Sequence, residues 1–101
     1  MNYTENFEGI KIDVQAVDIT IDNDLQQGIR DVITRLRRHI SDVNFADVYI
    51  TEKSEKSTDP KSVGIRFGIP GNDAYASDSG DNWMALLKNV QEKLRRQLEK
   101  R

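Results

Sequence analysis

The reading that decides the fold is the stretch from Asp81 to Arg101, DNWMALLKNVQEKLRRQLEKR. Trp83, Leu86, Leu87, Val90, Leu94 and Leu98 recur at spacings of three and four, the period of one helix face. Asp81 or Asn82 can accept a hydrogen bond from the first free amides, and Gly80 closes whatever precedes the helix. Away from the apolar stripe stand Lys88, Lys93, Arg95, Arg96, Lys100 and Arg101, against Glu92 and Glu99, a net charge of +4 after the capping position. The stripe predicts a helix lying as a lid on a core. The basic face is either solvated surface or a surface that touches phosphates.

Working back from this helix, the charge is segregated. The chain has 101 residues and a net charge of −2, enough for one domain and low for a nucleic-acid binder taken as an average. A first helix predicted over residues 23–40 carries Arg30, Arg35, Arg37 and Arg38 against Asp24 and Asp31, or +2. The two helices together hold +6, so the remainder holds −8. Such a field draws a polyanion toward one part of a molecule that is acidic elsewhere.

The absence of cysteine excludes disulfides, thiolate metal sites and thiol nucleophiles. No apolar run approaches membrane-spanning length, and residues 1–8 lack the basic and apolar regions of a signal peptide, so the expected location is cytoplasmic. Asn2-Tyr3-Thr4 fits a glycosylation pattern but has no export signal to accompany it.

Along the chain, residues 1–8 read as a loose leader. Ile10, Ile12, Val14 and Ala16 alternate with polar residues as a half-buried strand, followed by a short turn over residues 18–21. Asp22 is a candidate N-cap, and Leu25, Ile29, Val32, Ile33, Leu36 and Ile40 trace the first helical stripe. Gly28 inside that helix costs about 1 kcal/mol relative to Ala, so it marks either close packing or a weakened helix. Ala46, Val48 and Ile50 form a second alternating strand; Val63, Ile65, Phe67 and Ile69 form a third. Residues 53–61 are polar and read as a mobile loop. Pro70-Gly71-Asn72-Asp73 is a tight turn, and residues 74–78 make a fourth strand.

The order is β-α-β-β-β-α, an α+β domain over residues 1–101: a four-stranded sheet with both helices on one face. A parallel pair joined by a crossover helix, then hairpins, makes the two helices run roughly parallel. Their C-terminal ends then meet, bringing Arg35-Leu36-Arg37-Arg38-His39-Ile40 beside Lys93-Leu94-Arg95-Arg96-Gln97-Leu98. Cations at helix C-termini also oppose the negative end of the helix dipole, which needs no ligand.

These motifs resemble the ribosome hibernation promoting factors, also called ribosome-associated inhibitor or protein Y and labelled sigma-54 modulation proteins. The likeness runs from about residue 10 to residue 101. It rests on Tyr75-Ala76-Ser77, on Asp81-Asn82-Trp83-Met84 entering Lys93-Leu94-Arg95-Arg96-Gln97-Leu98-Glu99-Lys100, and on Arg35-Leu36-Arg37-Arg38. The resemblance implies a short-type member with a fold similar in outline to double-stranded RNA-binding domains. It implies binding in the small-subunit cleft, over tRNA and mRNA positions, holding the ribosome idle. Arg35, Arg38, Lys93, Arg96 and Lys100 match the family's basic helix positions, whereas Arg37 and Arg95 are basic where many relatives are acidic. With Arg30 and Lys88 from the basic faces, these are the candidate rRNA-binding residues. The expected partners are the small ribosomal subunit and its rRNA. The chain stops short of the dimer-forming domain of long-type members, so self-dimerisation through it is not expected.

Other chemistry is thin. His39 is the only histidine and stands at the end of a basic helix. Asp22-Asn23-Asp24 and Asp78-Ser79-Gly80-Asp81 lack the spacing and closing Glu of a calcium loop, and capping explains them. No phosphate-binding glycine motif is present. The expectation is a non-catalytic protein with no cofactor, metal, small-molecule substrate or membrane partner. Trp83 and Phe67 fall on core-facing positions, while Tyr49 and Tyr75 can face the open side of the sheet. The competing function is a protein-interaction module modulating transcription, docking through the acidic remainder or the exposed sheet face.

Overall fold

The computed structural model describes residues 1–17, 19–40, 42–53 and 60–100. Its elements run β1 (Asn2–Phe7), β2 (Ile10–Val17), α1 (Asn23–Leu36), β3 (Phe45–Glu52), β4 (Lys61–Gly68), β5 (Ala74–Gly80) and α2 (Trp83–Glu99). The sheet order is β1-β2-β3-β4-β5. Only β2 and β3 are parallel, joined across α1; the other neighbours are antiparallel.

Period-two alternation does what it predicts. Ile10, Ile12, Val14 and Ala16 of β2, Ala46, Val48 and Ile50 of β3, and Val63, Ile65 and Phe67 of β4 are all buried. The helical stripes meet them, since Leu25, Ile29, Val32, Ile33 and Leu36 of α1 and Leu86, Leu87, Val90, Leu94 and Leu98 of α2 join one core. Among the described residues no polar or charged residue is fully buried, so the core excludes water by apolar packing alone. Asp22 caps α1 by accepting from the Leu25 amide at 2.8 Å, and Asn82 caps α2 by accepting from the Ala85 amide at 3.0 Å.

The sheet has five strands, not four. Residues 1–8 are not a loose leader: β1 pairs antiparallel along β2, from Asn2 opposite Gln15 to Phe7 opposite Ile10. The two-residue loop Glu8-Gly9 has φ of 51° and 85°, the positive values whose twist suits a tight hairpin. Glycine adopts such a φ freely, whereas Glu8 holds it at a cost of about 1–2 kcal/mol. Tyr3 and Phe7 pack against the core beneath α1, and between them stands Glu5. That acidic residue on the inward face hides the strand from a hydrophobicity pattern.

Helix α1 ends at Leu36, four residues short of the stripe. The Arg38 and His39 amides donate to the Arg35 and Leu36 carbonyls, tightening the last turn, so Arg37, Arg38 and His39 lie just beyond the helix. Strand β5 extends to Gly80, and Lys61 belongs to β4 rather than to the connection. The Lys53 amide donates to the Pro60 carbonyl at 2.7 Å; the expected loop between them lies outside the described residues.

The helices run parallel, in register. Gly28 of α1 faces Met84 and Leu87 near the start of α2, and seven residues on, Arg35 Nη1 donates to Gln91 Oε1 at 3.3 Å. A Cβ on Gly28 would lie 2.8 Å from Leu87 Cδ1 and 3.2 Å from Met84 Sδ. The glycine therefore marks close packing and is the point where the two helices touch.

Candidate nucleic-acid interface

Parallel helices bring their C-terminal ends to one end of the sheet, with the first residues of β2, β3 and β5. The predicted cations divide there by what holds them. Arg30 is the most constrained: its Nε and Nη2 donate to the two Glu5 carboxylate oxygens at 2.8 and 2.7 Å. This fork-to-fork pair holds the Glu5 carboxyl below the ordinary carboxylate range and raises the Arg30 guanidinium further. Beside it the Tyr3 hydroxyl is buried without a hydrogen-bond partner, and burial pushes its pKa up. Arg37 Nη1 reaches the Glu8 carbonyl at 3.2 Å and its carboxylate at 3.5 Å.

On α2, Arg95 is clamped by its own helix. It pairs with Glu92 at 2.8 Å and Glu99 at 2.5 Å, one turn to either side. Its guanidinium is raised by those bonds, and the Glu92 carboxyl is lowered, first by Arg95. Lys93 donates to the Ser77 carbonyl at 2.8 Å and stands 3.8 Å from the Asp78 carboxylate. Asp78 is itself lowered, chiefly by a hydrogen bond from the Asn89 side-chain amide.

The rest are available. Arg38, Lys88, Arg96 and Lys100 are exposed and make no side-chain hydrogen bond or ion pair among the described residues; Arg35 is exposed and bonded only to the neutral Gln91. Arg35 and Lys88 also flank a groove between the helices floored by Val32 and Leu87. So of the nine candidates, five face solvent without an ion pair among the described residues, Lys88 and Arg96 acting on Glu92 only through space, and four are held by carboxylates. Helical spacing finds the clamp on Arg95 but not those on Arg30 and Arg37, because Glu5 sits on a strand that its polarity disguises and Glu8 on the turn that ends it.

Two side chains outside the predicted set shape this end. The Gln97 amide donates to the Tyr75 carbonyl at 2.7 Å and accepts from the Tyr75 amide at 3.2 Å. It thus satisfies the two outward backbone groups of Tyr75 on the edge of β5 as a neighbouring strand would. Lys61 lies 5.6 Å over the half-buried Trp83 ring while paired to Glu52 at 2.8 Å. Trp83 is therefore core packing with a cation on its rim, and Phe67 is fully buried. Tyr75 is on the open face, 43% exposed, with Arg66 5.3 Å over its ring. Tyr49 is half-buried on the same face. Among the described residues no group of three or more His, Asp or Glu is placed to hold a metal, and no helix is long and apolar enough to cross a membrane.

A mixed sheet with two parallel helices on one face, and with Arg35, Arg38, Arg96 and Lys100 in or just past the last turns of those helices, defines a small α+β protein. The chain belongs to the family described as sigma 54 modulation protein / S30EA ribosomal protein, whose pattern matches residues 12–101. It is 25% identical over 97 residues to a ribosome hibernation promoting factor of Acinetobacter guillouiae, covering 90% of this chain and 86% of that one. A ribosomal subunit interface protein from Coxiella burnetii has the same fold, with a TM-score of 0.76 at 17% identity over 88% of this chain and 93% of that one. So does the N-terminal domain of Thermus thermophilus protein Y, at 0.72 and 14% over 95% and 98% of the two chains.

Proposed function

We propose that the protein is a non-catalytic hibernation factor that binds the small ribosomal subunit, occupies the cleft used by tRNA and mRNA, and so keeps the ribosome idle. The observation that carries this reading is the parallel packing of α1 and α2. It gathers Arg35 and Arg38 with Arg96 and Lys100 at one end of an otherwise acidic molecule, none of them in an ion pair among the described residues. Lys88 extends the same charge along α2. The relatives named for ribosome hibernation and the ribosomal subunit interface supply the partner. Contact with rRNA is through phosphates, which position the protein without reading sequence. Occupying space requires no chemistry at the site.

Reversal of Arg35, Arg38, Arg96 and Lys100 to Glu tests the reading. All four are exposed, so stability should change little. Co-sedimentation with small subunits across a salt series should be abolished, and single replacements should flatten the slope of log affinity against log salt by about 0.7–0.9 for each phosphate no longer neutralised. Full binding by the quadruple variant would refute the mechanism. An interaction module docking through the open sheet face, where Tyr75 is exposed, predicts the opposite ranking. In that case substitution of Tyr75 would matter and the helix ends would not.

A further inference from the structure

We propose that the β1–β2 hairpin is an acidic strap that competes with the anionic partner for Arg30 and Arg37 of the first helix and its terminal turn. The inference rests on the helix surface being the polyanion-binding surface. Both arginines are held by carboxylates from the same short piece of chain: Glu5, inside β1, and Glu8, in the turn that ends it. The turn places Glu8 under the end of α1 at a positive φ, a conformation an acidic residue adopts at a cost. Asn or Gly would meet it more cheaply, so the local backbone does not require a carboxylate there.

The contrast with α2 is what makes this a strap. Arg95 is paired with carboxylates of its own helix, which part from it by turning their side chains and carry no segment of chain with them. Glu5 and Glu8 sit on an edge element that pairs with β2 alone. A phosphate that captures Arg30 leaves the Glu5 carboxylate, only 20% exposed at its side chain, without its strongest partner. It also leaves Glu5 beside the Tyr3 hydroxyl, which has none. The Gln26 side-chain amide, 3.4 Å from Glu5 Oε2, stays but carries no charge; a carboxylate without its counter-ion in that position is stabilised by rehydration, which loosens β1 from the sheet edge. Docking of β1 and binding of the polyanion are then opposed, and by linkage each weakens the other by the same factor.

The test uses the full chain and small ribosomal subunits over a salt series. The expected result for Glu5→Gln/Glu8→Gln is binding about fivefold or more tighter, with a salt slope steeper by about 0.7–0.9 per released arginine. In the native protein, amide exchange across β1 should quicken when subunits bind. Asp47→Asn/Asp81→Asn removes the same net charge from exposed or half-exposed positions that hold no arginine, and should change affinity far less. Glu8→Gln alone keeps the half-buried pair, so it serves should circular dichroism show the double variant unfolded; it should give the smaller part of the gain. Unchanged affinity and slope in a folded strap variant, or an equal gain in the control, overturns the proposal while leaving the binding surface intact. Absence of salt-dependent binding by the native protein overturns the surface itself, and the strap with it.

Discussion

Substituting Gly28 with Ala tests the contact that sets the helices side by side. Two terms oppose each other. Alanine is favoured over glycine in a helix interior by about 1 kcal/mol. Against this, the added Cβ would lie 2.8 Å from Leu87 Cδ1, well inside ordinary carbon contact, and 3.2 and 3.4 Å from Met84 Sδ and Cε. Met84 is 46% exposed and can swing into solvent, so it gives way cheaply. Leu87 is 3% exposed and has no such freedom; displacing it is overpacking, at about 1–3 kcal/mol. The sum is a change between neutral and about 2 kcal/mol destabilising. Once Leu87 is truncated to Ala the overlap vanishes, and Gly28→Ala should then stabilise by about 1 kcal/mol. Urea denaturation of the native protein, both single variants and the double variant completes a cycle, with an expected coupling of about 1–3 kcal/mol. Additive effects, with Gly28→Ala stabilising by about 1 kcal/mol in both backgrounds, would mean that the helices do not meet at this residue.

Two further outcomes are expected. Leu94→Ala, at a position with 0% exposure in the middle of the α2 stripe, should cost about 2–5 kcal/mol, read as a fall in the urea midpoint at constant slope; an unchanged midpoint would place this helix face on the surface. For Glu5, the folded carboxyl titrates below its ordinary 4.5, so its pair with Arg30 contributes fully above that pH and is lost as the pH falls through the lowered value. Stability measured against pH should show native protein and Glu5→Gln separated above pH of about 5 and converging in acid, and a gap that persists or widens in acid would contradict the pairing.

The strands β2, β3 and β4, both helical stripes and the cap Asp22 were legible in the sequence because each is local, and the second cap was narrowed to Asp81 or Asn82. Burial on one side imposes period two on a strand and 3.6 on a helix, and a cap acts across three residues. The parallel run of the helices was legible too, since one crossover and two hairpins leave few alternatives. Tertiary structure decided the remainder. β1 escaped the pattern because its inward positions are Tyr3, Glu5 and Phe7, and Glu5 is satisfied there by Arg30, 25 residues away, and by the Gln26 side-chain amide. The end of α1 escaped because its stripe continues to Ile40 while the last amides turn back on Arg35 and Leu36. Spacing shows Glu92 and Glu99 one turn to either side of Arg95, but not which of the other arginines keep a free charge. Neutralisation depends on a carboxylate within a few ångströms in space, and for Arg30 and Arg37 that carboxylate arrives on a strand and its closing turn, which take their places only once the sheet has formed.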